Sequence, residues 1–557
     1  MALEVIGVDR RKIPPANEAA VLQFRQRYLA AKEKTSRWHS IIRECYDYCI
    51  PNRNNVNLQD RSGQERMQKV VDGTAVEAMY GFANELQSSL IPSGMPWVKM
   101  KPGIATRPED FSEASDSLDF WSSIIFEDIR NSNFDSAAHE SLLDVGVGTG
   151  AIKVVGGDSK QRLIFESIPL PLIVVEEGPY GNIENVYRPI TLKAEMVKRR
   201  WPFAVLDEML ADTVKNSPQA FVDIVECSVF DTTYQCYRNV VFSEKSGKAI
   251  YQTASEESEY AVFRWAVAPG EVLGRGVAMS ALPFIRNLNR ATRLTISISE
   301  LAIAGMYMGI GDGVFNPHNV VFKPGAIFPV EDGDAGLKPI QQSHDFAISQ
   351  EIMREWRDRI RAIMFQDEIA PVAGGPQPSA TAALIRADRL QSKIGGSFPR
   401  LFREMVGPIF KKIVFQLQLL GRIPKDIRLN GHDIDIQYVG PLAQTAKIEE
   451  VNSLKSSIET VAGLLGPEMV HAAFKTEEIP RFIGQGFGMP ERLMRTPEEI
   501  KQGLSAAAKA ANVQMPSDSA GGEMPSPGDL PPQGSPDMSG GLGLPPDMAG
   551  ITPPPVR

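Results

Sequence analysis

Three glycines alternate behind an aspartate in Asp144-Val145-Gly146-Val147-Gly148-Thr149-Gly150, a spacing that lets a backbone approach a bound cofactor closely. Such a loop works where a strand ends at the acid and a helix begins after the last glycine. The flanking residues predict the reverse order. From Phe134 to Val145, Ala137, Leu142 and Leu143 stand among polar residues as they do in a helix. After Gly150, AIKVVGGDSKQRLIFESI reads as apolar run, Gly-Gly-Asp-Ser turn and apolar run, which is a β-hairpin. The glycines are therefore expected to end a helix and turn the chain into a sheet.

Taken alone, the glycine run resembles the loop of S-adenosylmethionine-dependent methyltransferases, and that enzyme is the alternative function the sequence raises. Other catalytic patterns are missing. No G-x-S-x-G, no G-x-x-x-x-G-K-[ST] and no H-E-x-x-H occurs. The carboxylate pairs Glu176–Glu177 and Glu256–Glu257 are adjacent, so in a strand they point to opposite faces and form no dyad. Cys45 and Cys49 lie one helical turn apart, and Cys227 and Cys236 are expected on strands of one sheet. With no second His or Cys pair nearby they read as buried reduced thiols, and no metal or cofactor is predicted. Arg354, Arg357 and Arg361 fall at i, i+3 and i+7 on one helical face, with Met353, Trp356, Ile360 and Ile363 on another. Guanidiniums in that register suit phosphates or carboxylates, and Glu351, Glu355 and Asp358 stand at helical spacing to pair with them. Arg286, Arg290 and Arg293 repeat the pattern beside Asn287 and Asn289.

These side chains need a frame. The chain has 557 residues, 43% hydrophobic and 23% charged, an ordinary balance for a large globular protein of several domains. Residues 1–15 are charged and proline-containing, without the apolar stretch of a signal peptide, so synthesis in the cytoplasm is expected. No apolar run reaches the length of a membrane span. A net charge of −9 is the wrong sign for a protein that grips nucleic acid tightly, since phosphate contacts dominate such affinity.

Periodicity predicts one helix over 17–50 stopped by Pro51, a second from Asp72 or Thr74 to Ile91, and a third over 111–130. Strand-like runs then crowd between Ala151 and Trp265, interrupted by a helical insertion carrying Trp201 and Leu206. After Gly274-Arg275-Gly276 a long helix is predicted over 278–304, about 40 Å at the usual rise, with Pro283 in its first turns. A small module with strand-like MYMGI and AIFPV spans 306–344, and a helix returns over 346–365. Beyond a Gly374-Gly375-Pro376 break come helices over 380–393 and 398–420, a strand over 434–440, and helices over 443–465 and 468–487. Past Val513 the residues are about 40% Pro plus Gly, a composition predicted to stay disordered. The fold class is α+β.

Several segments, in order, carry a stronger resemblance: DGTAVEAMYGFANELQSSLIPSGMPWVKM (72–100), SNF (132–134), FESIPL, EEGPYGNIENVYR, LGRGVAMSALPFIRNLNR (273–290), SATAALIRADR (379–389) and GPLAQTAKIEEV (440–451). Together they resemble the head-to-tail connecting (portal) proteins of short-tailed, T7-like bacteriophages, over roughly residues 24–503. That resemblance implies an N-terminal wing over 1–277, a stem helix over 278–305, a β clip over 306–345 and a returning stem helix over 346–366. It further implies a tunnel-loop region over 367–442 and a helical crown over 443–512, ahead of the tail over 513–557.

The implied function is a non-enzymatic ring, dodecameric in the family's manner, at a capsid vertex of the virion. It would pass double-stranded DNA during packaging and ejection with weak binding. Its partners would be terminase, the major capsid or scaffolding protein, and a tail adaptor. Another structural virion protein, a scaffold or tail fibre, is the remaining alternative. Within this reading the six arginines are expected to make inter-subunit salt bridges rather than DNA contacts, and a mildly acidic wall suits a duplex that must slide. Asp367 and Glu368, in the loop over 367–379, are expected to face the bore.

Overall fold

Asn17 accepts a hydrogen bond from the backbone N–H of Ala20 at 2.8 Å and starts the first helix, α1 (Glu18–Ser36). The computed structural model describes residues 4–6, 14–53, 66–107, 111–157, 161–304, 307–310, 327–330, 338–339, 346–366, 395–429, 433–466, 474–476 and 478–486. The single helix expected over 17–50 is two helices, because α1 stops at Ser36 and α2 (His39–Cys49) begins beyond Arg37 and Trp38. Thr35 and Ser36 donate their hydroxyls back to the carbonyls of Ala31 and Glu33, local bonding that bends a helix. The break lets Trp38 pack on the core. Cys45 and Cys49 are buried free thiols on α2, and Cys227 and Cys236 are buried free thiols on adjacent strands.

Helices α3 (Thr74–Leu90), α4 (Phe111–Arg130) and α5 (Phe134–Val147) fall where the periodicity predicts them. Strands β1 (Glu4–Ile6) and β2 (Val98–Pro102) lie outside every run read as a strand. The Gly150 hairpin is present as β3 (Thr149–Gly156) and β4 (Leu163–Ser167), paired antiparallel with Val154 opposite Phe165. Then follow β5 (Val174–Glu177), β6 (Ile183–Lys193), α6 (Ala194–Arg200), α7 (Glu208–Asn216), β7 (Phe221–Asp231), β8 (Cys236–Ser243), β9 (Ala249–Ser255) and β10 (Tyr260–Arg264). Strand β9 likewise lies outside the runs read as strands.

One sheet has the order β1-β9-β8-β7-β6-β5, an antiparallel meander with β1 added in parallel on the outer edge of β9. Its two faces show the period of two. Val225, Cys227 and Val229 of β7 meet Val21, Tyr28 and Ala31 of α1, while Ile224 meets Val197, Trp201 and Leu210 of the α6–α7 insertion. A second sheet, β10-β3-β4, brings Lys153 and Tyr260 against Glu226 of β7. Trp97 is fully buried against Phe126, Phe134 and Phe410.

Two long helices, α8 (Val277–Ala304) and α9 (Phe346–Ile363), form an antiparallel hairpin. Thr292 and Thr295 of α8 both reach Met353, while Phe284, nearer the start of α8, lies under Arg359. Between the helices sit β11 (Tyr307–Ile310), β12 (Ile327–Val330) and β13 (Lys338–Pro339), a three-stranded sheet in the order β12-β11-β13. The chain resumes at α10 (Phe398–Leu401), runs through a π-helical turn, Phe402–Val406, into α11 (Gly407–Leu419), and pairs β14 (Ile434–Tyr438) antiparallel with β2. Helices α12 (Pro441–Leu465) and α13 (Ile479–Gly486) complete the described elements. The expected helices over 380–393 and at the start of 468–487, and the tail past Val513, lie outside the described residues.

Candidate functional site: the foot of the helical hairpin

The glycine run meets a second one. Gly276 N–H donates to Val147 O at 2.9 Å, Gly274 N–H to the Thr149 hydroxyl at 2.8 Å, and Trp265 N–H to Gly148 O at 3.0 Å. A Cβ on Gly148 would overlap the carbonyl of Gly274, one on Gly274 that of Gly148, and one on Gly276 those of Gly146 and Val147. Two backbones crossing this closely admit no side chain. The order is helix α5, glycines, strand β3, so the strand–loop–helix frame of a cofactor loop is inverted. The space a cofactor would need is filled by residues 274–276. The reading of these glycines as the end of a helix and the start of a sheet holds, and the crossing fixes where α8 leaves the body.

Asp144, the acid of the run, is structural. It is fully buried, accepts from the Tyr46 hydroxyl, and takes Arg53 Nη2 at 2.8 Å and Nε at 3.1 Å. Burial pushes its carboxyl upward and the Arg53 guanidinium pulls against that shift. Arg53 also reaches Glu140 at 2.8 Å and Ser167 at 2.5 Å, so one guanidinium ties α5 to β4 and to the turn after α2.

The hairpin is clamped by the turn ahead of α3. Asp72 Oδ1 accepts from Thr74 N–H at 3.0 Å, while the cap position itself is Gly73, one residue later than the Asp72 the sequence offered. The other oxygen of Asp72 takes Arg357 of α9, Nη2 at 2.8 Å and Nε at 2.9 Å. Asn289 of α8, also buried, accepts from Val71 N–H at 2.8 Å and Asp72 N–H at 3.1 Å and donates to Ile285 O. One turn thus holds both helices. Thr74 and Arg357 outweigh burial and keep the Asp72 carboxyl below its ordinary range. Replacing Arg357 with alanine is expected to cost about 1–2 kcal/mol, since loss of a half-exposed guanidinium leaves a buried acid unpaired. Urea denaturation checks this, and an unchanged midpoint would remove the clamp.

The end of α9 is also seated. Phe365 sits at φ +61°, rare for a bulky residue, with its ring against Phe82 and Trp265. Gln366 lies over Gly81 of α3, where no side chain would fit without moving it.

The arginines read from the sequence divide into two groups. Arg286 pairs bidentately with Glu44 of α2 at 2.5 Å, and Arg357 with Asp72, both within one subunit. Both acids belong to the same chain as the arginines they pair with. Their acids, Glu44 on α2 and Asp72 in the turn ahead of α3, stand more than 200 residues away in sequence, so no local spacing announced them. Arg361 lies 3.7 Å from Asp358, one of the acids named for it. Arg290, Arg293 and Arg354 are exposed and have no ion pair among the described residues. Asp367 and Glu368 lie outside the described residues. Asp72 and Glu44 are the partners sequence reasoning missed. Past the clamp, the hairpin exposes Leu294, Ile296 and Ile303 of α8, the last at 86%, and Ile348 and Ile352 of α9.

Among the described residues no group of His, Cys, Asp and Glu could hold a metal ion, and no helix is long and apolar enough to cross a membrane. The bacteriophage head to tail connecting protein family matches residues 22–494. A probable portal protein of Bordetella phage BPP-1 is 21% identical over 468 residues, covering 78% of this chain and 81% of the relative. A portal protein of Enterobacteria phage T3 is 19% identical over 404 residues, covering 68% and 71%. Among solved structures, a chain from the virion of a native gene transfer agent particle covers 75% of this chain and 90% of its own, at 10% identity and a TM-score of 0.33.

Proposed function

The chain belongs to the bacteriophage head to tail connecting protein family, and from that membership we propose that it is the portal subunit of a virion. Copies close into a ring at the head–tail junction, dodecameric as the family resemblance implies. The observation that carries this reading is the exposed apolar set Leu294, Ile296, Ile303, Ile348 and Ile352. Apolar side chains on two packed helices need a second surface to leave water, at about 25 cal/mol for each Å² covered. A side-by-side, head-to-tail contact between copies buries them and closes a cycle.

In this reading α8 and α9 are the stem, β11–β13 the clip, residues 367–442 the tunnel-loop region and wing return, and 443–512 the crown. Exposed Arg290, Arg293 and Arg354 meet acids of the neighbouring subunit. Double-stranded DNA passes through weakly bound, and terminase, capsid or scaffolding protein and tail adaptor dock on the ring. No chemistry is assigned to it. Electron microscopy of the purified chain tests the core of the proposal. Wide-bore rings are expected, and filaments, trimers or monomers at every concentration would sink it.

Asp367 and Glu368 are proposed to present negative charge to the duplex, limiting adhesion by repulsion. The double variant Asp367→Lys/Glu368→Lys is expected to assemble normally and to retain DNA in a salt-sensitive way, since every phosphate that a lysine neutralises releases counterions. Ejection like the unmodified ring at low and high salt alike would remove these residues from the bore.

A further inference from the structure

Helix α11 turns Ile409, Phe410, Ile413, Val414 and Leu417 into the core, and Lys412 is buried with them at 7% side-chain exposure. A lysine there needs compensation, since burying an ammonium without a close partner is costly. Its ion-pair partner among the described residues is Glu257, whose Oε2 stands 3.7 Å away, beyond hydrogen-bond reach, and is itself 42% exposed. Burial accordingly holds the Lys412 amine below its ordinary range, against the pull of Glu257.

Lys412 lines a cavity of about 490 Å³ together with Arg403, Glu184, Glu257, Tyr180 and Tyr237. Arg403 has no ion pair among the described residues and lies on the π-helical turn, a form that recurs at functional sites. The neighbouring Arg264 is closed, gripping Glu404 at 2.8 Å and the carbonyl of Gly181 at 2.9 Å, so the cavity wall is fixed while two cations in it lack close acids. Glu184 and Glu257 also line the cavity, and a small free anion would be repelled by them. An acid carried on a protein segment that also brings a basic group would not, because it matches both signs.

We infer that this cavity is a socket for an acidic side chain of a second copy of the chain, its carboxylate set between Lys412 and Arg403. The inference rests on the ring reading above, which brings a second copy alongside. The occupant is distinct from the apolar contact of the hairpin, because the socket is built from β6, β8, β10 with the turn before it, the π-helical turn and α11.

A zero-length carbodiimide tests it on the assembled full-length protein. The reagent condenses a carboxyl and a neighbouring amine into an amide and leaves as its urea. Rings assembled from equal amounts of ordinary and ¹⁵N-labelled chains are treated, digested and read by mass spectrometry. Mixed-isotope peptides joining Lys412 to an acid other than Glu257 are expected. The variant Lys412→Met should lose that product. It should also raise the concentration for half-assembly by about tenfold or more, while the unassembled chain melts no lower. Rings with only same-chain Lys412–Glu257 product, or with Lys412→Met assembling as the unmodified chain does, would overturn the socket alone. An absence of rings in the same micrographs would overturn the ring reading and the socket with it.

Discussion

Gly276→Ala is expected to destabilise the chain by about 3 kcal/mol or more, the upper range for an overpacked site. The new methyl has nowhere to go, because the atoms it meets are the carbonyl of Gly146 and the backbone of Val147, not the end of a flexible side chain. Moving them breaks the 2.9 Å bond from Gly276 to Val147 and shifts the start of α8. Gly148→Ala should behave alike, through Gly274. It is therefore not the neutral control that a cofactor-binding test of the glycine run would require. Gly73→Ala, with open space around its Cβ and no left-handed backbone, should change little by comparison. The measurement is the urea midpoint of each unassembled variant, together with its yield of rings. A Gly276→Ala protein as stable as the unmodified chain would mean that the two segments do not cross.

Glu226→Gln is expected to cost about 3–5 kcal/mol, the scale for breaking a buried ionic cluster from one side. Glu226 is buried between the two main sheets and faces Lys153 at 3.2 Å, Arg200 at 3.2 Å, Arg188 at 3.6 Å and the Tyr260 hydroxyl at 2.8 Å. Burial raises its carboxyl, but the three cations and the tyrosine win and hold it at about 2, below its ordinary 4.5. A carboxyl depressed on folding stabilises fully above the ordinary value and loses that contribution as pH falls. The unmodified chain should therefore lose stability between about pH 4.5 and pH 2 through this residue. Glu226→Gln should be weaker at neutral pH and flatter across that window. Equal slopes for the two proteins would show that Glu226 titrates no differently folded and unfolded. Glu166 acts in the same direction, held low by Arg188 and Arg200 against burial.

What the sequence determined by itself was whatever a short window contains. The apolar period placed α3, α4, α5, the two hairpin helices and most strands between Thr149 and Arg264. Turn chemistry located the Gly150 hairpin, and the ordered motifs pointed to the family that matches residues 22–494. Tertiary structure alone decided which residues meet across long separations. Strand β2 exists because β14, more than 300 residues later, lies beside it. Arg286 and Arg357 gave no hint along the chain of Glu44 and Asp72, the acids that the fold brings to them. The glycines of 146–150 read as a possible cradle until 274–276 filled the space. Glu226 gave no signal in a strand-like run, although four side chains from three other strands and a helix converge on it. Helix and strand periods are local consequences of backbone geometry, so a window can hold them. Ion pairs and backbone crossings depend on where distant segments settle when the core forms, and no spacing along the chain encodes that.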